Sequence, residues 1–223
     1  MALPEKSNSN QEKIIKAATK LFVEQGYQQA TISKIAKEAG SSESAIYECF
    51  DGKEDLLLTI PDVWVKKALG EIKEQLYGLV GAFNKLRKFI WWYLRFIEKD
   101  QLTAQVVFLF LKTNPNFMTT EVYQNVKLFY AELLKIFEEG KTSGEMRPDL
   151  NPYLARALVL GTIEHLVIRW LLKDRSYSLF EELDIIYDIL VQGMKHPDQK
   201  KAEYLFEILR KESKESSPAG EEK

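Results

Sequence analysis

Cysteine, histidine and long apolar runs are what this sequence has least of. A lone cysteine, Cys49, excludes any disulfide framework within the chain. It suits a reducing compartment, so a cytoplasmic location is expected. The two histidines, His165 and His196, give no Cys/His metal spacing and no plausible catalytic triad. No GxSxG, HExxH or phosphate-loop motif is present, so the sequence indicates no enzyme class, no metal and no cofactor. The longest uncharged run, QLTAQVVFLFL at 101–111, is 11 residues, against roughly 20 for a spanning helix. The N-terminal MALPEKSNSNQEK is polar and lacks the apolar core of a signal peptide. No membrane partner is expected. An excess of positive charge is also missing: the net charge is −2, and composition gives no hint of a nucleic-acid partner.

What is present is a globular composition, 45% hydrophobic and 29% charged over 223 residues. The apolar residues recur with helical period almost throughout, and no internal repeat or convincing strand interrupts them. The expected fold is all-α with about nine helices, three small ones first and a larger helical body after. Ser9 with Glu12 predicts a capping box ahead of Ile14, Ala18, Leu21 and Phe22, and Gly26 closes that helix. Thr31 and Ser42 are N-cap residues for two short helices separated by Gly40. A fourth helix starts near Lys53, and Gly78 and Gly81 break the chain before FNKLRKFIWWYLRFIEK. The short apolar segment 101–113 is followed by NPNF as a loop, then by a long helix over 120–142. Asn151 and Pro152 open the next helix, which runs to about Lys173. Ser178 with Glu181 predicts a capping box for the last helix, ending near Met194. The tail carries an apolar patch at Ala202, Leu205, Phe206 and Leu209, and its end has the composition of a disordered segment.

Two short helices around the Gly40-Ser41-Ser42 turn form a helix-turn-helix pattern, spanning about 32–51. Such a unit sets its second helix, Glu43 to Cys49, in a major groove. Residues 9–57 resemble the N-terminal domain of TetR-family transcriptional regulators. The run IIKAATKLFVEQGYQQATISKIAKEAG, followed by AIY-x-x-F-x-x-KE-x-LL, carries the resemblance. It implies a DNA-binding domain over 9–69, a ligand-binding and dimerisation domain over 70–196, and a partly disordered tail over 197–223. The implied partners are a palindromic double-stranded operator, a small apolar effector and a second copy of the chain. Thr31, Tyr47 and Lys53 would donate to phosphates, with Lys34 on the same lysine stripe. Ser42 would cap the recognition helix, and Glu43 and Ser44 would face bases. Tyr47 could equally be a packing aromatic, and Thr31 and Ser42 plain caps. Glu43, Ser44, Glu48 and Cys49 depart from the Gly, Lys, His or Tyr that the family often carries there. The first 60 residues hold seven lysines and no arginine against nine carboxylates. Weak non-specific affinity is therefore expected. Cys49 is read as a packed small side chain or a redox sensor.

The body is rich in aromatics. Trp64, Phe89, Trp92, Phe96, Phe108 and Phe129 read as core, or together as the frame of an apolar ligand cavity. GYQQATISKIAKEAG and GTIEHLVIRWLLKDRSYSL, with Trp170 and Asp174, resemble the acyl-CoA-responsive FadR-type regulators. That resemblance implies a long acyl chain as effector, with Arg95 and Arg169 as candidates for its phosphates or as plain surface charges. Leu158, Gly161, Thr162, His165 and Ile168 share one helix face, and Leu183, Ile186 and Leu190 share another. The family pairs these two helices across a two-fold axis. His165 reads as an interface histidine or, alone on its face, as a metal ligand or base. The reading is a ligand-responsive dimeric repressor. The alternative is a ligand-binding helical protein whose DNA binding is lost or very weak.

Overall fold

A computed structural model describes residues 5–111, 117–173, 177–181 and 183–198, with 204 and 208. Asp174 and the tail patch at Ala202, Leu205, Phe206 and Leu209 lie outside the described residues. So do 114–116 of the expected loop. Among the described residues there are nine α-helices and no strand: α1 Glu5–Gln25, α2 Ile32–Ala39, α3 Glu43–Tyr47, α4 Lys53–Leu76, α5 Ala82–Lys99, α6 Gln101–Gln105, α7 Glu121–Thr142, α8 Pro152–Leu172 and α9 Leu183–Met194. A π-helical turn, Val106–Leu111, continues α6, and a 3₁₀ turn, Phe117–Thr119, precedes α7.

The caps explain most of the boundaries. Thr31 accepts from the Lys34 amide and Ser42 from the Ala45 amide, at 3.3 and 3.2 Å. Between them Gly40 sits at φ 63°, a left-handed conformation that ends α2. Asn151 caps α8 through the Tyr153 and Leu154 amides. Two expected caps are displaced. α1 begins at Glu5, so Ser9 lies inside it. Ser and Asn cost well under about 1 kcal/mol each within a helix, too little to stop elongation. Ser178 closes a turn to Phe180 and Glu181, and α9 starts only at Leu183, because Leu179 first turns inward to be buried in the body core.

Two hydrophobic cores share α4. Leu56, Leu57 and Ile60 pack with α1, α2 and α3 in the head, while Trp64, Val65, Ala68 and Ile72 pack in the body. The packing therefore changes over between Ile60 and Trp64, after the boundary near residue 55 that the helix pattern suggests and ahead of 69, where the resemblance ends the DNA-binding domain. Pro61 sits at this seam inside α4. It supplies no amide for the helix, so the backbone is weakened where the two cores meet. The π turn is the second bridge. Val106 is buried in the head core, whereas Val107, Phe108 and Leu111 are buried in the body. An all-apolar run has no polar side to turn outward, and the wide turn directs neighbouring valines into different cores.

Candidate DNA-reading surface and effector cavity

The capped α2 and α3 form a helix-turn-helix braced by α1. Ile35, Ala36, Ile46 and Phe50 are buried against Ile14, Ala18, Leu21 and Phe22. This fixes the opposite face of α3 outward. Thr31, Ser42, Glu43 and Ser44 are exposed there, and Tyr47 is 57% exposed. A packing role for Tyr47 is thereby excluded. Ser42 and Ser44 hydroxyls lie 3.0 Å apart. Cys49 is half-buried against the head core, the packed position the bland reading gave it.

The two lysines are less free than the sequence implied. Lys34 donates to Gln25 Oε1 and the Gln29 carbonyl, at 2.8 and 2.9 Å. Lys53 donates to the Tyr27 and Gln28 carbonyls, at 2.8 and 3.4 Å, and lies over the Tyr27 ring. Both ammonium groups fasten the loop after α1, whose carbonyls at 27–29 accept from them. Glu43 and Glu48 are exposed on the reading helix and its end. With its lysines engaged in the fold and its acids facing outward, the head presents little free positive charge to phosphate.

In the body, the expected aromatics come together, but most of them as packing. Phe129 is the hub, with ring centroids at 5.5 Å from Phe89, 5.3 Å from Tyr93, 6.2 Å from Trp92 and 5.6 Å from Tyr130. Trp92 and Trp64 both lie against Phe96, and Phe108 meets Trp64 edge-on. Trp64 and Phe129 line an internal cavity together with Pro61, Tyr93, Val107 and Tyr130, whereas Phe89, Trp92, Phe96 and Phe108 stand behind its wall. The cavity is about 20 Å³, room for one water. The aromatic rings fill the space that an effector would need.

Inside this apolar region lies a polar chain that the sequence reading missed. The Tyr130 hydroxyl donates to Glu164 Oε1 at 3.1 Å, and Tyr93 packs with Tyr130 against the Phe129 ring. Burial, then the Glu164 charge, pushes the Tyr93 hydroxyl far above its ordinary value; burial and the same neighbours do so for Tyr130. Both hydroxyls keep their protons. The Trp64 indole N–H, buried on the cavity wall, has no hydrogen-bond partner. Pro61, in the stretch LLLTIPDVW, was a sequence signal that the continuous α4 lacks an amide hydrogen bond beside the cavity.

Arg95 and Arg169 are not at the cavity. Arg95 is on the outward face of α5, paired with Glu98 at 2.6 Å, and Arg169 is an exposed residue near the Tyr177 ring. The α8 face is open as expected: Leu158 is 54% exposed, and Gly161 and His165 are exposed, with Thr162 and Ile168 partly covered. A Cβ at Gly161 would meet nothing within 4 Å, so nothing within the protomer requires a glycine there. His165 sits in this shallow apolar groove beside Leu158 and Gly161. On α9 the expected face is corrected. Leu183 and Leu190 pack partly against the body core, Ile186 is half-buried, and the exposed apolar residues are Ile185 and Ile189. A helix this apolar leaves its inward face undecided until its neighbours are placed.

Residues 14–60 match the family described as bacterial regulatory proteins, tetR family. Residues 64–193 match the C-terminal region of YsiA-like proteins, a TetR-type C-terminal family. The two matches meet at the α4 seam. The fatty acid metabolism regulator protein of Bacillus subtilis is 30% identical, over 81% of this chain and 93% of its own. Among solved structures, the fatty acid degradation regulator FadR of Bacillus halodurans superposes with a TM-score of 0.79 at 27% identity, covering 88% of this chain and 100% of that one. FadR of Bacillus subtilis, in complex with stearoyl-CoA, gives 0.77 at 31% identity, covering 82% and 98%. With both its head and its body matched, the chain belongs to the TetR family of bacterial transcriptional regulators.

Proposed function

We propose that the protein is a dimeric operator-binding repressor, released from DNA by a long-chain acyl-CoA and working in the cytoplasm. The observation that carries this is the sharing of α4. Ile60 belongs to the head core and Trp64, one turn later, lines the cavity. A ligand that enlarges a cavity of about 20 Å³ must displace its walls, and α4 and the π turn transmit that to the head. The ligand then favours the state it fits, and DNA favours the other.

In this reading Thr31, Tyr47 and the α3 amides behind Ser42 hold phosphates, and Glu43 and Ser44 read base edges. Lys34 and Lys53 serve DNA chiefly by fixing the head, each with a remaining N–H for phosphate. The exposed apolar faces of α8 (Leu154, Leu158, Gly161, His165) and α9 (Ile185, Ile189) pair with a second copy. The two reading helices then meet half-sites roughly 34–36 Å apart. The stearoyl-CoA bound by the B. subtilis relative gives the effector class.

The test is selection of duplex fragments from the source genome at low salt. Enrichment of one palindrome, weakened by stearoyl-CoA, supports the reading. A second reading, a ligand-binding protein without DNA function, is favoured by the engaged lysines and the outward Glu43 and Glu48. It predicts no enrichment from folded dimer at low salt.

A further inference from the structure

Trp64 faces two spaces. It lines the internal cavity with Phe129 and Tyr130, and it also lines an outer cleft of about 230 Å³ with Lys67, Glu71, Phe96, Lys99 and Asp100. With Phe96, at 4.8 Å between ring centroids, it forms the partition between interior and surface. The interior side is apolar. The outer side carries two ammonium groups. Its two acids have partners within the fold: Glu71 faces Lys67 at 4.0 Å, and Asp100 caps α6 through the Thr103 amide.

The indole N–H of Trp64 is the second observation. It is buried without a partner. A buried donor of this kind is costly unless something accepts from it. Indole can only donate, so the missing group is an acceptor. No described side chain, the Tyr93 and Tyr130 hydroxyls included, accepts from it.

We propose that Trp64 is the threshold of the effector site: its N–H donates to the carbonyl oxygen of an acyl thioester. The hydrocarbon chain runs inward past Phe129, and the phosphorylated head stays outside against Lys67 and Lys99. This rests on the acyl-CoA reading above and specifies how that ligand is held. It also places the polar junction of the ligand on α4, one turn from the head core, so that chain length is sensed inside and head-group charge outside.

The experiment is calorimetric binding of two probes to the full-length protein: stearoyl-CoA, and S-octadecyl-CoA, a thioether with the same chain and head but no carbonyl. Wild type is expected to prefer the ester by about tenfold, the scale of one buried hydrogen bond. Trp64→Phe, which keeps a ring and removes the N–H, is expected to bring the two within about twofold. An undiminished preference in that variant, or none in wild type, overturns the proposal while leaving acyl-CoA as effector. Failure of wild type to bind either probe overturns the acyl-CoA reading itself, and the proposal with it.

Should Trp64→Phe not fold, two other measurements decide. Of the four tryptophans, one indole proton in the NMR spectrum of wild type moves downfield with stearoyl-CoA and not with the thioether. No such movement refutes the hydrogen bond. Lys67→Gln with Lys99→Gln weakens stearoyl-CoA about tenfold and leaves S-stearoyl-N-acetylcysteamine, which has no phosphates, unchanged. Equal affinity for stearoyl-CoA in that variant refutes the placement of the head.

Discussion

Phe129→Ala separates a filled core from a ligand site. Phe129 is buried, on the cavity wall, with four aromatic rings whose centroids lie within 6.2 Å. Truncating a buried Phe costs about 3–5 kcal/mol. Four ring contacts place this site in the upper half of that range. For a chain of this size each kcal/mol shifts the melting temperature by about 2–4 °C, so a fall of about 8–20 °C is expected without ligand. The void left behind joins an existing cavity, so the variant has space for hydrocarbon that the wild type must open. Added stearoyl-CoA should therefore raise the melting temperature of Phe129→Ala by more than it raises that of wild type, at fixed protein concentration. Urea titration reads the loss of stability, and thermal melts with and without ligand read the shift. A loss under about 1 kcal/mol would mean that the rings do not form a packed hub. Equal stabilisation by ligand in the two proteins would mean that the acyl chain binds elsewhere.

Tyr47→Phe should weaken operator binding about three- to tenfold in gel shift, as loss of one hydroxyl contact, with an unchanged melting curve because Tyr47 is exposed. Lys53→Gln should lower both, since its ammonium holds two backbone carbonyls; the stability loss is about 1–3 kcal/mol by urea titration. Gly40→Ala should destabilise the head by about 1 kcal/mol, because Gly40 is left-handed at φ 63° while a Cβ there meets nothing within 4 Å. Burial raises the hydroxyls of Tyr93 and Tyr130 above their unfolded values. Both states keep these protons below about pH 10, and above it the unfolded chain ionises first, so stability falls as pH rises. Ultraviolet titration should show the two ionising only as the fold is lost.

Much of the head was legible because its signals are local. Thr31, Gly40 and Ser42 act within three or four residues of themselves, and each cap is made as the spacing implies. The side-chain partners of Lys34 and Lys53 were not legible. Their carbonyl acceptors at 27–29 depend on how α1 enters the loop. In the body, hydrophobicity identified the core residues but not which of them border empty space. Trp64, Phe129 and Phe89 are all buried, yet only the first two border the cavity. Tyr93, Tyr130 and Glu164 come from three helices, and no spacing within one segment could join them. α9, LDIIYDILVQGM, is apolar on several sides, so choosing Ile185 and Ile189 over Leu183 and Leu190 needed the packed structure. The capping box at Ser178 misled because a turn uses the same hydroxyl-to-amide bond as a helix start.

The central claim is that one protein holds operator and effector in opposition through α4. Stearoyl-CoA affinity, measured by calorimetry on the free protein and on the protein saturated with its selected palindrome, tests it most directly. Linkage requires the operator to weaken stearoyl-CoA by the same factor by which stearoyl-CoA weakens the operator; the predicted factor is about tenfold or more, equal in both directions. Stearoyl-CoA that binds as tightly to the DNA complex as to the free protein would contradict the account.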